Sequence, residues 1–206
     1  MSKILLIGNG PSATELKMGE RIDSNEFDYV ARFNRWKYDE DGSEHINNFS
    51  EYVGTKCDFW FINDLHLTET QIGISKREFY KYVFVVMPKF KFNVSLANDV
   101  QNKFDNIKFI DPKFEDEVNQ LVNFKPQWPS TGVIAIQFAI NNFDNVYLYG
   151  FDTYSTKYDT LHYFEGIDKP YGRNKFKFKK RSDHTPSKEK DYLDLVIKNH
   201  NIEILQ

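Results

Sequence analysis

Ile4-Leu5-Leu6-Ile7 runs directly into Gly8-Asn9-Gly10-Pro11-Ser12. Four apolar residues closed at once by glycines and a proline read as a short buried strand entering a tight turn. Glycines at 8 and 10 allow the backbone to approach a ligand phosphate or ribose closely. The turn departs from the dinucleotide fingerprint G-x-G-x-x-G, because position 13 is Ala. Phe33-Asn34 also stands where that fingerprint expects an acidic ribose partner. On these residues alone, Gly8, Asn9, Gly10 and Ser12 form either one wall of a nucleotide site or a plain turn.

Reading outward, the same kind of run recurs. Short apolar stretches bounded by turn residues predict strands over 4–7, 29–33, 58–62, 82–87, 107–110 and 146–149, with a last one over 202–205. Helical patterns fall between several of them. Residues 130–140 keep one apolar face through Val133, Ile134 and Phe138. Thr185-Pro186 predicts a helix start, with Thr185 as cap and Pro186 in the first turn. Tyr192, Leu195, Val196 and Asn199 follow at helical spacing. Strands alternating with helices predict one α/β domain, 1–206, with a mostly parallel twisted sheet flanked by helices.

Composition sets the outer limits. At 206 residues the chain is long enough to bury roughly 70 % of its unfolded surface. A core therefore needs neither disulfides nor a structural metal. Cys57 is the sole cysteine, which excludes an intramolecular disulfide and any Cys-rich zinc site. A formal charge of −3 argues against a nucleic-acid partner. No apolar stretch approaches the ~18 residues of a membrane span, and the N-terminus does not read as a signal peptide. The expectation is a cytoplasmic protein, or one peripheral to the inner face of a membrane.

Four further segments carry chemistry. Pro129-Ser130-Thr131-Gly132 precedes an apolar helix, so free N–H groups and two hydroxyls could hold a carboxylate or phosphate; the plain alternative is an N-cap. Tyr149-Gly150-Phe151-Asp152 ends a strand at the edge facing the ligand crevice of an open α/β sheet. Asp152 there either contacts ligand or binds loop backbone. Residues 153–184 are irregular and long, as in a lid over a site. Within them, 173–181 holds six basic residues in nine, either a solvated loop or a contact with anionic headgroups. His184 stands just before the helix capped by Thr185, and His162 lies in the lid. A histidine titrating near neutrality can take a proton from a hydroxyl. His45, His66 and His200 lack such context. Asp39-Glu40-Asp41 reads as a charged turn ending in Gly42, not as a metal-binding pair.

In this order the pieces resemble the sialylmotifs of the animal-type sialyltransferases, glycosyltransferase family 29. The long motif matches Leu5-Leu-Ile-Gly-Asn-Gly10, Ile22-Asp23, Asp28-Tyr-Val-Ala-Arg-Phe-Asn34, Val53-Gly54-Thr55-Lys56 and Asp58-Phe-Trp. The short motif matches Pro129-Ser-Thr-Gly132, Ala139 and Asp144-Asn-Val-Tyr-Leu-Tyr-Gly-Phe151. The third matches His162-Tyr-Phe-Glu165, and the last matches His184 followed five residues on by Glu189. The chain is similar also to the smaller bacterial lipo-oligosaccharide sialyltransferases of family 42. Nearly the whole chain is covered. It departs from the animal family in lacking the disulfide between the long and short motifs, which fits a reducing compartment, and in lacking an anchor and stem. The resemblance implies a Rossmann-like, GT-A-like sialyltransferase variant with a lid at about 153–184.

The resemblance further implies CMP-sialic acid as donor and a glycan or glycolipid acceptor, transferred with inversion and without a metal or other cofactor. His184 would be the general base. Asn9, Asn34 and Asn63 would lie at the donor, with Asn9 and Asn63 at its phosphate and ribose. Ser130, Thr131 and Gly132 would hold the ribose and the sugar carboxylate. Gly150, Phe151 and Asp152 would complete the donor site. His162 would stabilise the leaving phosphate, and two of Tyr154, Tyr158 and Tyr163 would donate to it. The alternatives are another CMP-linked 2-keto acid such as Kdo, a non-catalytic CMP-sugar binder, and an unrelated Rossmann enzyme of NAD or S-adenosylmethionine.

Overall fold

Strands covered on both faces read as near-continuous apolar runs, and most of these strands do, with Arg32 a buried exception in the strand Tyr29–Phe33. A computed structural model describes residues 1–37, 44–63, 77–152, 162–163 and 185–205. Along the chain, β1 (Lys3–Ile7) leads through a 3-10 turn (Pro11–Thr14) and the short helix α1 (Gly19–Asp23) to β2 (Tyr29–Phe33). The one-turn helix α2 (Ser50–Val53) precedes β3 (Phe59–Asn63). Then follow β4 (Tyr82–Val86), α3 (Val94–Lys103), β5 (Ile107–Phe109), α4 (Lys113–Leu121) and α5 (Thr131–Asn142). The last are β6 (Asn145–Tyr149), α6 (Pro186–Asn199) and β7 (Ile202–Ile204).

All seven strands join one sheet in the order β5-β4-β3-β2-β1-β6-β7. Every pairing is parallel, so the sheet is wholly rather than mostly parallel. Successive side chains alternate between its faces. Ile4, Leu6, Phe33, Phe59, Phe61 and Phe84 pack under the helical layer, against Phe114, Val118, Ile134, Tyr192 and Val196. Leu5, Ile7, Val30, Trp60, Ile62 and Val85 fill the other face, against Ile22, Phe27, Trp36, Phe49 and Val53. Full burial of one such side chain stabilises by roughly 1.5–3 kcal/mol. The sheet is thus held by two separate aromatic-rich cores.

The helix α5 is buried through Val133, Ile134, Ala135, Ile136, Gln137 and Ala139, as expected of a core helix with apolar residues nearly all round. Its one buried amide joins three helices. Tyr192 Oη on α6 donates to Gln137 Oε1 at 2.8 Å, and Gln137 Nε2 donates to Glu117 Oε2 on α4 at 3.1 Å. Helices α3 and α4 have no counterpart in the sequence reading. They bury only Ala97, and Phe114 with Val118, respectively, so their apolar stripes are too thin to register. Thr185 occupies the cap position of α6, but its side chain makes no cap bond. Its hydroxyl instead lies 3.2 Å from Gln127 Oε1, to which it donates. No helix among the described residues is long and apolar enough to cross a membrane.

Candidate active site

In an open parallel sheet, ligands bind beyond the carboxyl ends of the strands, where the strand order reverses. Here the reversal falls between β1 and β6. Gly8-Asn9-Gly10 leaves β1 and Gly150-Phe151-Asp152 leaves β6 at that point. The two turns are laced together. Gly8 N donates to Tyr149 O at 2.7 Å, Gly10 N to Gly150 O at 2.9 Å and Ser12 N to Asp152 Oδ2 at 2.9 Å. Space explains the glycine at 10: a Cβ there would lie 2.3 Å from Asp152 Oδ2. Conformation explains Gly150, whose φ of +71° lies in the left-handed region. Asp152 therefore fastens the first turn through loop backbone.

The next two strand ends continue the rim. Asn34 follows β2 with φ +46°, a conformation that asparagine tolerates better than most residues. Its Oδ1 accepts from Asn63 N at 3.1 Å, and its carbonyl accepts from Trp60 Nε1 at 2.8 Å. Asn9 Nδ2 donates to Phe33 O at 3.0 Å. Strand neighbours lie ~4.8 Å apart, so Asn9, Asn34 and Asn63 stand in a row across β1, β2 and β3. Asn9 Oδ1 is buried and has no hydrogen-bond partner among the described residues.

Beside this row lies Tyr163, described together with His162. Tyr163 N donates to Asn9 O at 2.9 Å. The Tyr163 ring is buried against Phe49, with ring centroids 5.1 Å apart, and its hydroxyl donates to Trp36 O at 3.2 Å. Burial pushes that hydroxyl up to about 12. Tyr163 thus spends its hydroxyl on a backbone carbonyl, which leaves it no proton to give a leaving phosphate. Half-buried His162 directly precedes Tyr163, whose backbone N–H reaches Asn9 O. His45 is structural, its Nε2 lying 3.0 Å from the same Trp36 O.

The start of α5 forms the opposite wall. Ser130 caps it, its hydroxyl accepting from Val133 N at 3.3 Å. The Phe151 ring fits against Gly132, where an added Cβ would lie 3.2 Å from Phe151 Cε1. Phe151 also meets Phe33 edge-on at 5.6 Å between centroids. Beneath Ser130 lies Glu189 of α6, which is 5 % exposed and hydrogen-bonded to both the Ser130 hydroxyl and its backbone N–H. Burial is the main influence on its carboxyl, raising it to about 7 against the lowering effect of those bonds. The sequence reading gave Glu189 no role of its own. Its signal was a charged residue on the stripe of α6 that buries Tyr192, Leu193 and Val196.

Gly8, Asn9, Gly10, Ser12, Asn34, Asn63, Gly150, Phe151 and Asp152 thus lie at or just beyond the carboxyl ends of β1, β2, β3 and β6, with Ser130, Thr131 and Gly132 at the start of α5 and His162 next to Tyr163 in the chain. Tyr154, Tyr158, His184, the 39–41 turn, His66 and the basic run 173–181 lie outside the described residues.

A parallel sheet flanked by helices, whose strand order reverses between β1 and β6, is of the Rossmann-like type. The family model "Glycosyltransferase family 29 (sialyltransferase)" matches residues 3–201, and the chain belongs to that family. It is a sialyltransferase, and membership implies a CMP-sialic acid donor and a glycan acceptor. No curated protein matches the chain.

Proposed function

We propose that the chain transfers sialic acid from CMP-sialic acid to a hydroxyl of a galactoside or sialoside, with inversion and without a metal. The observation that carries the reading is Asn9 Oδ1, buried and unpartnered at the end of the central strand β1. A buried acceptor without a donor costs ~1–3 kcal/mol. A ribose hydroxyl or the cytosine amino group would supply the missing donor. Asn34 and Asn63 flank the same ligand. The sugar carboxylate fits the start of α5 at Ser130, Thr131 and Gly132, where the helix dipole favours an anion by ~0.3–1 kcal/mol.

In the reaction the acceptor oxygen attacks the anomeric carbon from the face opposite CMP. The bond from that carbon to the phosphate oxygen breaks, and CMP leaves with the electron pair. His184 takes the acceptor proton, a role worth ~10²–10⁴ in rate. His162 donates to the departing phosphate, adding charge stabilisation where it develops. CMP leaves as a monophosphate, with less charge to neutralise than a diphosphate. That chemistry supports a reaction independent of metal.

CMP release from CMP-sialic acid, measured with EDTA and a panel of galactosides and sialosides, tests the reading. Acceptor-stimulated release is expected from wild type and not from His184→Ala, which should still bind CMP. Loss of wild-type release on adding EDTA would overturn metal independence, and full activity in His184→Ala would overturn the base.

A further inference from the structure

We propose that Phe90 and Trp128 form the platform on which the acceptor's galactose ring stacks, an inference that rests on the transferase reading above. Most of the chain's described aromatic side chains are buried, yet Phe90 is 69 % exposed. It lies at the carboxyl end of β4, on a 3-10 turn (Lys89–Lys91), and so on the crevice side of the sheet. Its ring meets that of half-buried Trp128 at 5.4 Å between centroids and 55° between planes. The two rings make a floor and a wall, open to solvent. Phe79 is 61 % exposed as well, but it precedes β4 and belongs to the opposite end of the sheet.

The Phe90 turn is tied to α4. Lys89 N donates to Glu115 Oε2 at 2.7 Å and Lys89 Nζ to Asp116 Oδ2 at 2.6 Å, which fastens the Phe90 turn onto α4. Trp128 stands two residues before Ser130, the cap of α5. Its neighbour Gln127 accepts from the Thr185 hydroxyl at 3.2 Å. Thr185 directly follows His184 in the chain. Trp128 therefore stands in the chain between Gln127, the partner of Thr185, and Ser130 at the proposed carboxylate site.

The chemistry of the occupant follows from the surface. Aromatic faces favour ligands with one apolar side and polar edges. In a β-galactoside the axial 4-hydroxyl leaves the hydrogens on C3, C4 and C5 together on the other face. That face suits the Phe90 floor, with the ring edge against Trp128 and a hydroxyl directed toward Ser130.

Phe90→Ala and Trp128→Phe test the platform, with Phe79→Ala as the control for loss of an exposed aromatic. In Phe90→Ala the KM for a β-galactoside acceptor should rise about tenfold or more. Trp128→Phe, which keeps a ring, should raise it less. CMP should shift the melting temperature of each variant as it does that of wild type, which shows that they are folded with an intact donor site. An unchanged acceptor KM in Phe90→Ala would overturn the platform and leave the transferase reading standing. So would a sedimentation result in which wild type self-associates and Phe90→Ala does not, since the rings would then bind a second copy. CMP release by wild type that no glycan in the panel stimulates would instead overturn the transferase reading, and the platform with it.

Discussion

Asn34 combines two requirements in one residue. Its backbone is left-handed at φ +46°, and its side chain holds the Asn63 backbone N–H. Alanine would lose the bond and also incur the ~1–2 kcal/mol cost of that conformation. Glycine would lose only the bond. Melting temperatures should therefore fall further for Asn34→Ala than for Asn34→Gly, while CMP affinity drops in both; equal melting of the two variants would sink the argument. At this scale the sequence was partly legible. The resemblance names Asn9, Asn34 and Asn63 together, and the three stand at the ends of the adjacent strands β1, β2 and β3. Asp152 stood open between ligand and loop, and the Ser12 N–H bond assigns it to the loop. Tyr163 could not be read, because a tyrosine bonded to a backbone carbonyl and a tyrosine facing a phosphate look identical until the hydroxyl's partner is known.

Among the elements, the junction of α5 and α6 is the most exposed to pH. Glu189 is raised to about 7 chiefly by burial beneath Ser130. A carboxyl with a folded value above its unfolded one binds its proton more tightly in the native state. Its stabilising contribution is then complete below about pH 4.5 and is lost as pH rises toward about 7. The shift corresponds to roughly 3 kcal/mol. Glu189→Gln keeps an acceptor and a donor for Ser130 but carries no charge. Thermal melts at about pH 5 and about pH 8 should show a smaller difference for Glu189→Gln than for wild type; parallel curves would contradict the assignment. The strands are legible because parallel strands with two covered faces are apolar nearly throughout. The helix over 131–142 was legible for a similar reason, being buried on most sides. α3 and α4 were not, since a helix resting on the core by one or two side chains leaves almost no periodicity to read.

For the whole molecule, the reversal of strand order between β1 and β6 gathers residues 8–12, 130–132 and 150–152 at one edge. That gathering was legible only through the order of the motifs, because spacing along a chain does not say which strands are neighbours. It also predicts ligand preference. At about 100 times its dissociation constant, CMP should add ~2.7 kcal/mol to stability and raise the melting temperature, whereas NAD should not. A shift with NAD alone would point to a dinucleotide enzyme. The pairing of β1 with β6 has a further consequence, for synthesis. Ile4 meets Val146 and Ile7 meets Tyr149, so the first strand made is completed by one of the last. Contacts of such separation form slowly, because the intervening chain must be ordered first. On the ribosome, the sheet can grow from β1 toward β5 while the Gly8–Gly10 turn still has no wall. The β1–β6 wall comes into being only when β6 has left the exit tunnel, so a nascent chain cannot bind donor until synthesis has passed well beyond Tyr149.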